Sequence, residues 1–275
     1  MSHKVKRYTQ LALILSLVVF LGACSMDPIS SESTGIWDRY IVYNLSLVIE
    51  WFSKLFGNNP AFGIITFTII IRLLMMPLMI KQMKSQRQMA ELQPELQAIQ
   101  EKYPGRDQVS MELMQEEQQA LYDKHDVNQF AGCLPMLVQL PIMMALYQVI
   151  LRTDSLRVGE FLWTNLGQKD PYFILPILAA GLTFASTYLS MKSNPVQNST
   201  TKIMMYAMPL MILFVSVSLP TAVVLYWVVS NAITVIQTLV FNNPYKIIAE
   251  REAKEQAEKE RERRLRRELK RARRR

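Results

Sequence analysis

Residues 60–80 read PAFGIITFTIIIRLLMMPLMI, and Arg72 is the only charge among them. An apolar run of this length crosses a hydrocarbon core of about 30 Å as a helix. Arg72 lies about 18 Å of helix rise from Pro60 and about 14 Å from Lys81, near the middle of that core. An arginine there costs about 2.5–3.5 kcal/mol on insertion scales. The usual remedy is a carboxylate on a neighbouring span, and none of the apolar blocks of this chain contains one. Either water reaches Arg72 or its counter-charge arrives with another molecule.

Outward from this stretch, half of the residues are hydrophobic and gather into blocks, the pattern of an all-α polytopic membrane protein. Five blocks serve as transmembrane helices: 60–80, 134–151, 172–191, 203–219 and 221–241. The last two are joined only by Leu219-Pro220-Thr221 and read as a tight hairpin, while Pro77, Pro141 and Pro209 predict kinks. Ahead of the blocks, Lys4, Lys6 and Arg7 precede an apolar run from Leu11 to Leu21 that is too short to span. Residues 1–23 therefore read as a cleaved signal peptide. Leu21-Gly22-Ala23-Cys24 resembles a lipobox, which makes Cys24 the lipidated first residue (palmitate) of a mature lipoprotein.

Lys and Arg set the orientation. Segments 81–133, 192–202 and 242–275 carry 6, 2 and 14 of them, against 2 and 3 in 24–59 and 152–171. The positive-inside rule places the mature N-terminus outside the cell membrane and the C-terminus in the cytoplasm. Residues 24–59 read as an extracellular, interfacial amphipathic segment, or as a short core-packing helix that shares its pattern, with Trp37, Tyr40, Ile41, Val48, Trp51, Phe52 and Leu55 opposite Asp38, Arg39, Glu50 and Lys54. Residues 81–133 form a cytoplasmic helical hairpin between the first two spans. Its stripes are Leu92, Leu96, Ile99 and Tyr103, then Met111, Met114 and Leu121, with a break at Pro104-Gly105 and a cap at Asp107. The basic tail, 242–275, carries 11 basic and 3 acidic residues from Lys259 onward. Such a run attracts a polyanion, either ribosomal RNA or anionic lipid head groups, without specificity for DNA, or else is a disordered anchor that merely enforces the orientation.

Two histidines and two cysteines rule out a histidine metal cluster and a Ser-His-Asp triad, and no glycine-rich phosphate loop is present. The chain is read as no enzyme, without cofactor or metal. Its polar residues inside the blocks instead fall on stripes. Thr68 lies one turn from Arg72; Thr183, Ser186, Thr187 and Ser190 share a face of the third block; Trp227, Asn231, Thr234 and Gln237 share one in the fifth; Gln139 stands in the second. Either these groups tie helices together, at about 0.6 kcal/mol per bond, or they line a hydrated cavity around Arg72. The cavity answers the arginine's need for partners better. Ten methionines near the expected cytoplasmic halves of the blocks suit varied apolar guests or simply fill the spans.

Gly132-Cys133-Leu134-Pro135, Gln139-Leu140-Pro141-Ile142, Leu225-Tyr226-Trp227 with Ser230-Asn231 and Gln237, and Asn243-Pro244 resemble motifs of the YidC/Oxa/Alb insertases. The first-span arginine ahead of a proline is similar too. The likeness covers roughly residues 60–245 and points to the Gram-positive, lipoprotein-type branch. Ala222-Val223 departs from the Gly-Leu common in relatives, which affects only the local turn. The resemblance implies an insertase and chaperone for nascent membrane proteins, working alone or with the Sec translocon beside the ribosome. It also implies a groove open to cytoplasm and lipid and closed to the outside. The rival readings are a small-anion transporter with Arg72 as ligand and a structural lipoprotein without translocation activity.

Overall fold

Asn59 and Pro60 start the decisive helix. The Asn59 side chain accepts the Ala61 N–H at 3.0 Å, and proline at the first helical position has no N–H to leave unpaired. Before it, Gly57 and Asn58 take positive φ, so the chain turns sharply. Helix α1 (Trp37–Leu55, π-wound as far as Val42) thus meets α2 (Pro60–Leu74) at 114°. The computed structural model describes residues 28–105, 107–128, 134–195 and 199–273, without the side chains of 134–138 and 199–201. The signal peptide, Cys24 and Cys133 lie outside the described residues.

The first apolar block is not one uninterrupted helix. It breaks at Met75, where ψ is −4°, and resumes as α3 (Met76–Glu91). The cause is Pro77, which cannot donate to the preceding turn. After a second joint at Leu92 come α4 (Gln93–Lys102) and α5 (Gln108–Lys124). They pack through Leu92, Leu96, Ile99 and Leu121, with Met114 and Tyr103 alongside, and Lys102 reaches Glu117 at 2.8 Å. Asp107 accepts the Ser110 N–H at 3.0 Å and caps α5. Met111, expected on this seam, is exposed instead, because the seam closes on the turns nearer Leu121.

The remaining apolar blocks are helices α6 (Leu134–Arg152), α8 (Ile174–Lys192), α9 (Ser199–Ser218) and α10 (Thr221–Phe241). Among the described residues, α8 and the helix beginning at Thr221 are long and apolar enough to cross a membrane by length and composition. Residues Lys202–Ser218 form a shorter apolar helix, and α1 with α2 forms one bent pair. The connection between α9 and α10 is as short as the sequence predicts, Leu219-Pro220, but among the described residues each of the two packs more on α8 than on the other. The loop after α6 explains this. It holds the short helix α7 (Asp154–Arg157) and a two-stranded ribbon, β1 (Glu160–Phe161) antiparallel to β2 (Thr164–Asn165). The Thr221 and Ala222 N–H groups donate to Gln168 (2.7 Å) and Leu166 (3.0 Å) carbonyls, so this loop, not α9, fixes the start of α10.

Asp170 anchors the other end of the loop. Its carboxylate accepts the Trp163 indole N–H (2.9 Å) and the backbone N–H groups of Tyr172 (3.1 Å) and Leu175 (2.8 Å). Burial opposes its ionisation, but these donors outweigh burial and hold the carboxyl below its ordinary value. A depressed folded pKa contributes stability above the unfolded value of about 3.9, and that stability is lost as pH falls through the folded value. Asp170→Asn is therefore expected to cost about 1–3 kcal/mol near neutrality. In thermal unfolding, the gap between variant and parent should close below about pH 4; an equal gap at both pH values contradicts this assignment.

The main core occupies one end of the bundle. Val42 and Ile49 of α1, Ala61 and Ile64 of α2, Leu146, Val149 and Ile150 of α6, and Ala222, Val223 and Tyr226 of α10 are buried together. Asp38, expected on the polar face of the amphipathic segment, is instead buried against Arg152, which sits at the end of α6 just above this layer. A helical wheel drawn for one helix cannot show a charge supplied by another.

The basic tail forms a helix too, α11 (Pro244–Ala272), capped by Asn243 and nearly continuous with α10. Its root is held by Arg87–Glu250 at 3.2 Å, by an Arg251 bond to the Ser193 carbonyl at 2.6 Å, and by Lys192 over the Tyr245 ring at 4.2 Å.

Candidate intramembrane polar site

Three helices converge on Arg72. The last turn of α2 carries the arginine, the first half of α6 carries Gln139, and α10 presents Tyr226 and Ser230 one turn apart. Arg72 Nε donates to Ser230 Oγ at 2.8 Å, and Nη2 donates both to the same oxygen and to Gln139 Oε1 at 3.3 Å. Gln139 is oriented in turn, since its Nε2 donates to the Tyr226 hydroxyl at 2.7 Å. Every one of these partners is neutral. They fix the guanidinium without cancelling its charge.

Beside the arginine lies a cavity of about 50 Å³, lined by Ile71, Arg72, Met75, Met79, Gln139, Ile142 and Tyr226. One water needs about 10–15 Å³ on that measure, so the space admits several. Its walls combine one cation and one amide with methionine and isoleucine. A polar group is attracted to one side and an apolar group to the other.

The sequence-derived site divides in two. Gln139 joins Arg72, as expected from a shared polar cavity. Thr68 is fully buried one turn away, but its hydroxyl donates to the Ile64 carbonyl at 2.6 Å. In α8, the Thr183 and Ser186 hydroxyls donate to carbonyls of their own helix at 2.8 and 2.9 Å, and Thr187 is half-buried. In α10, Asn231 donates to the Trp227 carbonyl at 2.9 Å and Thr234 to the Ser230 carbonyl at 2.9 Å. The two stripes meet at Ser186 and Asn231, 3.5 Å apart, and neither contributes to the walls of the Arg72 cavity. Trp227 packs on the apolar core. Gln237 is buried, and its Nε2 has no partner among the described residues.

Ser230 and Tyr226 are the members that sequence reasoning missed. They lie on the turn of α10 adjacent to the Trp227–Asn231–Thr234 stripe. Both faces carry polar groups at helical spacing, and only the position of α2 decides which one meets Arg72.

The family model of the 60Kd inner membrane protein matches residues 51–250. The chain belongs to that family. It is 53% identical to the membrane protein insertase YidC of Enterococcus faecalis over 249 residues, 90% of each chain. It is 50% identical to the membrane protein insertase YidC 2 of Listeria innocua over 256 residues, 91% of this chain and 89% of that one. Among solved structures it is similar to an active YidC insertase with its first transmembrane domain resolved, at a TM-score of 0.59 and 29% identity. That match covers 75% of this chain and 47% of the other, so this chain spans about half the length of the solved one. The YidC resemblance read from the sequence motifs is thereby borne out, and with it a largely helical, multi-pass membrane protein.

Proposed function

We propose that the chain is a membrane protein insertase and chaperone that receives nascent membrane proteins in a hydrated groove around Arg72 and releases them into the bilayer. The observation that carries this reading is an intramembrane cation held only by neutral groups, beside a cavity large enough for water. A charge left uncompensated by its own protein is suited to attract one from a passing chain. In this reading α2 with α3, α6, α8, α9 and α10 are the five spans. Cys24 carries the lipid outside, α4 and α5 form the cytoplasmic hairpin, and α11 lies in the cytoplasm. The apolar core is then the outer plug.

A hydrophilic, acidic segment of the client enters the cavity from the cytoplasm and is drawn towards Arg72. From there it crosses only the outer part of the bilayer, which lowers the desolvation barrier. The membrane potential, positive outside, adds up to about 2.3 kcal/mol per charge per 100 mV. The client's apolar span meanwhile leaves along the methionine-lined wall into lipid. No bond is made or broken. The hairpin and the basic tail receive the ribosome or anionic lipid, and the protein acts alone or beside the Sec translocon.

The test is insertion itself. Liposomes containing the purified chain should integrate a single-span protein with a short acidic outer segment, measured by protection of that segment from protease, at least about tenfold above protein-free liposomes. Equal protection with and without the chain overturns the proposal. Anion flux in place of insertion would favour the transporter reading.

A further inference from the structure

Arg152 ends α6, and its side chain is 2% exposed; Asp38, near the start of α1, is 11% exposed. The two form a bidentate ion pair, Arg152 Nη2 donating to Asp38 Oδ2 at 2.7 Å and Nη1 to Oδ1 at 3.0 Å. One turn back along α6, Gln148 Oε1 accepts the Trp37 indole N–H at 2.9 Å. The start of α1 is thus pinned to α6 at two successive levels. Trp37 and Val42 also pack on the apolar core, while Tyr40, Trp51 and Leu55 face outward and are well exposed, so apolar packing and the two polar contacts together place α1. Directly beneath the pinned segment, Val42 and Ile49 rest on Leu146, Val149 and Ile150. Tyr226 and Ile142 lie at the boundary, touching this apolar layer on one side and the Arg72 cavity on the other.

We infer that the Asp38–Arg152 ion pair is the outer latch of the groove, holding α1 across the end of α6 so that the apolar layer stays closed to the outside. The inference rests on the insertase reading and its orientation. Both are positioning residues, since neither lines the cavity. The choice of a buried ion pair follows from what happens when it is half broken. Loss of the Arg152 guanidinium leaves Asp38 a buried carboxylate without its ion-pair partner, which must recruit water. Loss of the Asp38 charge removes what draws α1 onto the end of α6, whereas apolar side chains at both positions keep the contact dry. An intact pair therefore makes the seal specific to one placement of α1.

The test uses the full chain in inverted and right-side-out vesicles, with Cys133 replaced by serine and Ile142→Cys as reporter. A small charged maleimide probes each face. With the latch intact, the reporter should react from the cytoplasmic side and stay protected from outside. Asp38→Asn and Arg152→Gln should raise outside labelling at least about tenfold and leave cytoplasmic labelling unchanged. Trp37→Phe, which removes only the indole donor, should give a smaller rise if the charge variants fail to accumulate. The double variant Asp38→Leu with Arg152→Met should return to protection. A merely structural staple predicts no such rescue. Single variants protected from outside while labelled from inside overturn the latch alone. A reporter unlabelled from inside in the parent overturns the groove reading beneath it.

Discussion

Arg72→Ala is expected to reduce insertion of an acidic-tailed single-span client by more than about tenfold, with the protein still folded and present at parental levels. The two halves of that expectation come from different energies. An arginine near the bilayer centre costs about 2.5–3.5 kcal/mol to place, and its hydrogen bonds to Ser230 and Gln139 return only part of that. Its loss relieves the bilayer, so thermal stability in detergent should hold or rise. The cavity, however, loses the one cation that lines it among the described residues. Arg72→Lys keeps the charge while giving up the planar fork, and should retain at least about half of the insertion, because the proposed attraction needs charge rather than bidentate geometry. An active alanine variant in an insertase-depleted strain contradicts the role assigned to Arg72.

Gly63→Val is expected to act on the fold. A Cβ at Gly63 would lie 2.2 Å from Ser53 Oγ and 2.6 Å from the Ile49 carbonyl oxygen. The hydroxyl can swing aside, but the carbonyl belongs to the α1 backbone and cannot. Residues this small at a helix interface exist to let two backbones approach. The substitution must push α1 away from α2, at a cost of about 3 kcal/mol. It should appear as a lowered melting temperature and loss of the monodisperse peak on size-exclusion chromatography. Gly181→Ala is the control: nothing lies within 4 Å of its Cβ position, and alanine favours the helix. Equal melting temperatures for the valine variant and the parent would contradict the close α1–α2 packing.

The helices were legible because lipid demands long apolar runs and the chain punctuates them with proline and polar residues. The fifth block, read as 221–241, is the helix Thr221–Phe241, and the second, read as 134–151, is Leu134–Arg152. The family was legible in the motifs around Gln139 and Tyr226. What could not be read were pairings set by distance in the fold. Asp38 and Arg152 are 114 residues apart, and each looks solvated on its own helix. Ser230 sits 158 residues from Arg72, on a face no more polar than its neighbour. The hydroxyl stripe of α8 misled for a related reason: threonine and serine donors are satisfied by carbonyls four or three residues back, so a polar stripe does not by itself require water. The ribbon at 160–165 is too short to leave a period-two pattern.

The central claim is that the space beside Arg72 is where a nascent chain passes. A photocrosslinking residue placed at Met79, on the cavity wall, should capture a ribosome-held single-span chain as its apolar segment emerges. The same residue at Leu178, on the exposed face of α8, should capture little. Strong capture at 79 with little at 178 is the predicted result; absent capture at 79, or equal capture at both positions, would contradict the account.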